Sequence, residues 1–392
     1  MYTAAMSSNA STSPLGNPDR VVSLDALRGF DMLWILGADE LVYAIGRQNH
    51  SPFVNGLVKQ MSHNTWEGFA FYDMIFPMFV FIVGVSIVFS LSKLVATSGR
   101  SVAVKRVIFR ATTLYLLGIL YYGGAANTWP NMRLVGVLQR IALCYLSAGL
   151  LFTFFRPRTL GIIAVSLLLT YWALMALVPV PGVGRGNYAE RMNLADYIDK
   201  VALPGKQHSK DHDPEGLLST IPAVASCLLG VFAGLLLRSE RPQPWKKAAI
   251  LMLAGAASVG LGMAWGGMFH GVPQLAFLAP MKFPVIKKIW SSSFVLVASG
   301  YSAALLGLFY LVSDVWKVRF WTLPFLWIGM NAITLYMLEN IFEFPKFANR
   351  FVGGNVAHAL GPWAEVAQLG VALLMVLLLA RFLFRRGVFM RI

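Results

Sequence analysis

His63 to Ser90 reads HNTWEGFAFYDMIFPMFVFIVGVSIVFS, and no ionisable side chain lies between Asp73 and Lys93. About 20 mainly apolar residues suffice to cross the hydrocarbon core of a bilayer, so residues 69–92 predict a membrane-spanning helix with polar groups at its head. Nine more apolar runs surround it, at 24–45, 103–122, 134–155, 159–179, 217–237, 247–267, 289–312, 321–342 and 364–385. The 392 residues are 57% hydrophobic and 13% charged, whereas an ordinary soluble enzyme is ~25% charged. The expected fold class is all-α, a polytopic membrane helix bundle of about ten transmembrane helices. It forms one domain, 23–392, behind a Ser-, Asn- and Pro-rich tail over 1–22 that is expected to be disordered and lacks the apolar core of a signal peptide.

The formal charge of +15 would raise nucleic acid as a partner in a soluble protein. In a membrane protein Lys and Arg gather in cytoplasmic connections, so no nucleic acid is expected and the lipid bilayer is the expected surround. With the amino terminus inside, 17 Lys and Arg fall on that side and 8 on the other, once the long loop 180–216 is set aside. Both termini are therefore expected to be cytoplasmic, with connections 46–68, 180–216 and 268–288 outside. Cys144 and Cys227 sit within apolar runs and read as small hydrophobes, not as a disulfide framework. A short likeness between PMFVFIVG (Pro77 to Gly84) and PFLWIGMN (Pro324 to Asn331) has no further matching around it and reads as coincidence, not as an inverted repeat.

An ionisable side chain inside a span costs roughly 2.5 to 3.5 kcal/mol, so each one present asks for a partner or a cavity. At the head of the first span Ser23 can cap the helix, and Asp25 and Arg28 are spaced i,i+3 for a local ion pair. Arg28 is either an interfacial anchor or a ligand for a phosphate of a cytosolic donor. Asp39, near the outer end of that span, could meet His63 across one connecting loop; a carboxylate would then set the orientation and basicity of an imidazole, which suits removal of a proton from an amine or hydroxyl. The alternative is a His63 that merely tips a helix. Asp73 lies near Pro77, which is expected to interrupt its helix, and either pairs with Arg140, beside Gln139, or lines a substrate cavity. Trp66 either stacks on a sugar ring or anchors at the interface.

In HDPEG (His212 to Gly216), Asp213 as N-cap, Pro214 at the first helical position and Glu215 in the first turn predict the start of the sixth span. His208, Asp211 and His212 form too weak a pattern for zinc, and no metal is expected. Phosphate loops of the Walker and Rossmann kinds and serine elbows are absent.

The strings SLDALRGFDMLW, HNTWEGFAFYDMIFPMFVFIVGVSIVFS, RLVGVLQR, HDPEG, KKIWSSSFVLVASG and PFLWIGMNAITLY, in this order, resemble the heparan-α-glucosaminide N-acetyltransferase family, particularly its short bacterial members. The resemblance runs from about Ser23 to the carboxyl end. It implies a multi-span acetyltransferase in a bacterial inner membrane that takes acetyl-CoA from the cytosol and acetylates an amino sugar on the outer face. It places His63 at the family's active-site histidine and Asp39 where the animal enzyme is expected to carry Asn, and the short tail here stands in place of the animal enzyme's extramembrane amino-terminal domain. His63 and Asp39 are then the catalytic candidates. Trp66, Asp73, Asp213 and Glu215 are candidates for binding the acceptor, and Arg28, Gln139 and Arg140 for binding the donor. A homodimer is an open alternative to a monomer. Two other functions compete: an amino-sugar carrier, and an O-acyltransferase of an envelope glycan.

Overall fold

The structure, a computed structural model, describes residues 21–209, 212–268 and 281–390. Most of the expected tail and the centre of connection 268–288 lie outside the described residues. Among the described residues there is no β-strand, only isolated bridges such as Glu67 with Ile286.

Fifteen α-helices carry the described chain: α1 (Val22–Leu33), α2 (Asp39–Gln48), α3 (Pro52–Met61), α4 (Ile75–Tyr121), α5 (Val137–Phe154), α6 (Pro157–Leu177), α7 (Leu194–Ala202), α8 (Thr220–Arg238), α9 (Pro244–Trp265), α10 (Ser292–Tyr310), α11 (Leu323–Gly329), α12 (Ala332–Ile341), α13 (Phe344–Val352), α14 (Gly354–Leu360) and α15 (Ala364–Arg386). Among the described residues seven helical segments are long and apolar enough to cross a membrane, eight if α11 and α12, bent by 63°, count as one span. That is fewer than the ten expected. The spans read at 69–92 and 103–122 belong to one helical run, broken inside α4 at Gly99, where φ is +83°. The span read at 24–45 is interrupted by a π-turn at Trp34–Ala38, with Gly37 at φ +103°, and is rich in charge.

Burial follows apolar pattern. Val80, Ile87, Leu91, Cys144, Cys227 and Phe294 fill one core shared by α4, α5, α8 and α10, and both cysteines are free and buried. In contrast Ile162 and Val165 of α6, Leu253 and Leu261 of α9, and Leu374 and Leu378 of α15 face outward. Water would penalise such a surface and hydrocarbon does not.

Where helices cross most closely, small residues let the backbones touch. A Cβ at Gly84 would stand 1.9 Å from the Cys227 carbonyl oxygen, and one at Gly230 would stand 1.9 Å from that of Phe81, which locks α4 onto α8. Gly29 and Gly329 do the same for α1 and α11, at 1.8 Å from Phe325 O and 2.0 Å from Asp25 O.

Two local expectations are corrected. Ser23 does not cap α1: the helix begins at Val22, and its free amides are met from far along the chain, where Asp314 Oδ1 accepts from Val22 N at 3.2 Å and Oδ2 from Ser23 N at 2.9 Å. Pro77 does not interrupt a helix either. It lies in the first turn of α4, where no intrahelical donor is needed.

Candidate active site

Between α3 and α4 the chain leaves helical geometry, and residues 62–70 fold back on themselves. Asp73 is the reason. Its carboxylate is 1% exposed; Oδ2 accepts from Ala70 N at 3.0 Å and from Asn64 Nδ2 at 3.2 Å, while Oδ1 lies 2.8 Å from His63 Nδ1. A carboxylate only accepts, so Nδ1 carries the hydrogen and the lone pair of a neutral ring is on Nε2. The His63 side chain is 50% exposed. A fixed, buried acceptor thus orients an accessible imidazole.

A second group closes on the ring. Lys287 Nζ lies 2.9 Å from His63 Nδ1, 3.3 Å from Nε2 and 3.5 Å from Asp73 Oδ1. The two ring nitrogens point apart, so an ammonium this near both sits over the ring and not along either lone pair. Lys287 is placed by a turn in which Trp290 N donates to Lys287 O at 2.9 Å and Ser291 Oγ accepts from Ile286 N at 3.0 Å. Gly68 N donates to Val285 O at 2.9 Å, joining that turn to the His63 segment. Burial pulls the Lys287 ammonium down to about 8, against the opposing pull of Asp73.

These contacts correct two expected pairings. His63 pairs with Asp73, not with Asp39, and Asp73 does not meet Arg140. Asp39 reaches the imidazole only indirectly: its carboxylate pairs with Tyr72, whose ring centroid is 4.8 Å from that of His63. Arg140 is 1% exposed, donates from Nη2 to Gly216 O at 2.9 Å and to Ser219 Oγ, and lies 5.0 Å over the Trp290 ring. Its neighbour Gln139 is buried with no hydrogen-bond partner for its amide, packed under Gly118 and Gly136.

Arg28 is elsewhere. It makes the expected i,i+3 ion pair with Asp25 at 2.9 Å and donates to Ser86 Oγ, well down α4, at 2.8 Å. The three expected donor-binding residues therefore do not come together; Arg140 turns to the segment ahead of α8, Gln139 packs against Gly118 of α4, and Arg28 bonds to Ser86 of α4.

HDPEG is a turn, not a helix start. Asp213 Oδ1 accepts from Glu215 N at 3.0 Å, and α8 begins only at Thr220. Arg133 clamps both acids, at 3.2 Å from Asp213 and 2.9 Å from Glu215. Burial pushes the Glu215 carboxyl up to about 7, with the nearby Arg140 and Arg133 pulling the other way. His212 and His208 go to different partners: His212 Nδ1 lies 2.7 Å from Asp196 Oδ1, and His208 Nδ1 lies 3.3 Å from Arg133. Asp211 lies outside the described residues.

Trp66 ties the His63 segment to the long connection, donating from Nε1 to Tyr188 O at 2.8 Å, with the His212 ring edge-on at 5.9 Å and Lys288 Nζ 5.6 Å from its centroid. The connections 46–68, 180–216 and 281–288 thus meet at one end of the bundle, around His63.

The profile described as heparan-alpha-glucosaminide N-acetyltransferase, catalytic, matches residues 20–262. The chain belongs to this family. It is similar to heparan-alpha-glucosaminide N-acetyltransferase of Homo sapiens, 27% identical over 96% of this chain and 60% of that protein, and of Mus musculus, 29% identical over 74% of this chain and 52% of that protein. The chain thus spans little more than half the length of these relatives. His63 and Asp73 fall inside the family-matched residues; Lys287 lies beyond them. Sequence reasoning missed Lys287, which it counted only toward orientation. The signal available was a cationic pair, KKIW, directly ahead of a serine-capped apolar run.

Proposed function

We propose that this chain is a transmembrane acetyltransferase that moves the acetyl group of acetyl-CoA onto the amine of an amino sugar or cell-envelope glycan, with His63 as general base or nucleophile. The observation that carries the reading is the half-exposed imidazole held at 2.8 Å by a buried carboxylate, at the end of the bundle where the long connections meet. Neutral Nε2 is free to take a proton from the attacking amine or to accept the acetyl group. Asp73 keeps the tautomer and orientation; Asp39 supports Tyr72 against the ring. No step needs a metal.

Acetyl-CoA is polyanionic and enters from the end that carries Arg28. There Arg28 and Arg106 each bear electrostatically on Arg110, whose guanidinium lies 5.0 Å over the Tyr145 ring and whose Nε is buried without a hydrogen-bond partner. Phosphates suit such a set, and the thioester arm then reaches through the bundle toward His63. The charge asymmetry of the connections supports an arginine end in the cytosol and a His63 end outside, with both termini cytoplasmic, and the location that goes with this reading is a bacterial inner membrane.

Purified protein in detergent, given acetyl-CoA and glucosamine, is expected to release free CoA thiol only when both are present. Release that persists in His63→Ala, or no release from the wild type, would contradict the assignment.

A further inference from the structure

We propose that Lys287 is the acid that protonates the departing thiolate, and that its contact with His63 returns to it the proton taken from the acceptor amine. This rests on the acetyl-transfer reading above and adds a residue to it.

The geometry is that of a relay. Lys287 Nζ stands over the imidazole, 2.9 Å from Nδ1 and 3.3 Å from Nε2, the nitrogen left free by the bond to Asp73, and 3.5 Å from Asp73 Oδ1. Its side chain is 20% exposed, and its backbone is fixed to the His63 segment through Gly68 and Val285. The groups that bear on this pair are Asp73, Tyr72 with Asp39 behind it, and Glu215, which acts on Lys287 through space.

The step balances as follows. The acceptor nitrogen attacks the thioester carbon, a C–N bond forms, and the C–S bond breaks. The amine proton passes to His63 Nε2, while the Lys287 ammonium gives a proton to the sulfur. Rotation of the Lys287 side chain then brings its neutral amine from over the ring into line with Nε2–H, the imidazolium hands that proton over, and both residues are back where they began. One amine proton has become one thiol proton. An acid lowered by burial to about 8 lies close to the ~8.5 of an ordinary thiol, so neither direction of transfer is steeply uphill.

The test compares Lys287→Met and Lys287→Arg with wild type on two donors: acetyl-CoA, and p-nitrothiophenyl acetate, whose thiolate leaves without help. Met is expected to lower acetyl-CoA turnover by ~10² or more while changing aryl thioester turnover only a few fold. Arg is expected to behave like Met, because a guanidinium keeps its proton in this range. Wild-type turnover of acetyl-CoA should fall as pH rises through about 8, where the ammonium is lost. Near-wild-type activity of Lys287→Arg, equal losses on both donors, or a wild-type profile that does not fall there would overturn the relay. If the wild type does not accept the aryl donor, the pH profile and Lys287→Arg on acetyl-CoA decide. Wild type that consumes no thioester in the presence of an amino sugar would instead defeat the transfer reading itself.

Discussion

Asp73 accepts from Ala70, Asn64 and His63 at once, and burial leaves its oxygens no water to fall back on. Its role is to hold, and His63 supplies the reactive atom. His63→Ala is therefore expected to leave the protein folded and monodisperse, since a half-exposed ring contributes little packing, and to lower CoA release by ~10² or more. Asp73→Asn should fold yet lose a comparable factor, because an amide can present an N–H to Nδ1 and unset the tautomer. Asp39→Asn is expected to be milder than Asp39→Ala in the same assay, as the amide still accepts from Tyr72. At this scale the sequence singled out His63, Asp39 and Asp73 but paired them wrongly. The error traces to the helix start: reading the span from 69 put Asp73 deep in a helix, whereas α4 begins at Ile75 and residues 62–70 turn His63 back onto the carboxylate. Apolar periodicity says nothing about such a turn.

Elements show a different balance. The edges of α5, α6, α8, α9, α10 and α15 follow the apolar runs to within a few residues, because a long apolar helix is decided by composition alone. HDPEG carried a helix-start pattern that tertiary contacts overrode: Arg133 and Arg140 hold the segment as a turn ahead of α8. The glycine crossings were not legible, since which glycine meets which backbone depends on the packing. They yield a prediction. Gly84→Ala is expected to destabilise the bundle by about 1–3 kcal/mol, read as a lowered melting temperature in detergent, because its Cβ would press on the Cys227 carbonyl. Gly56→Ala in α3, where nothing lies within 4 Å, should not lower it. Equal melting temperatures for the two variants would mean that α4 and α8 do not cross as described.

On the scale of the whole molecule the decisive feature is separation. Arg28 bonds to Ser86, about 20 Å along the helix from Asp73 at 1.5 Å per residue, so in the proposed function the donor phosphates and the His63 site lie at opposite ends of the bundle. An enzyme built this way moves an acyl group across while its donor's nucleotide stays behind, and a carrier moves the sugar. Sealed vesicles of known orientation distinguish the two in one measurement. Acetyl-CoA is supplied only on the face bearing Arg28, glucosamine is held only on the face bearing His63, and the acetylated sugar is quantified on each side. The account predicts N-acetylglucosamine on the His63 face, dependent on acetyl-CoA at the opposite face and lost in His63→Ala; unmodified glucosamine crossing the membrane, or product forming only when acetyl-CoA is on the His63 face, would contradict it.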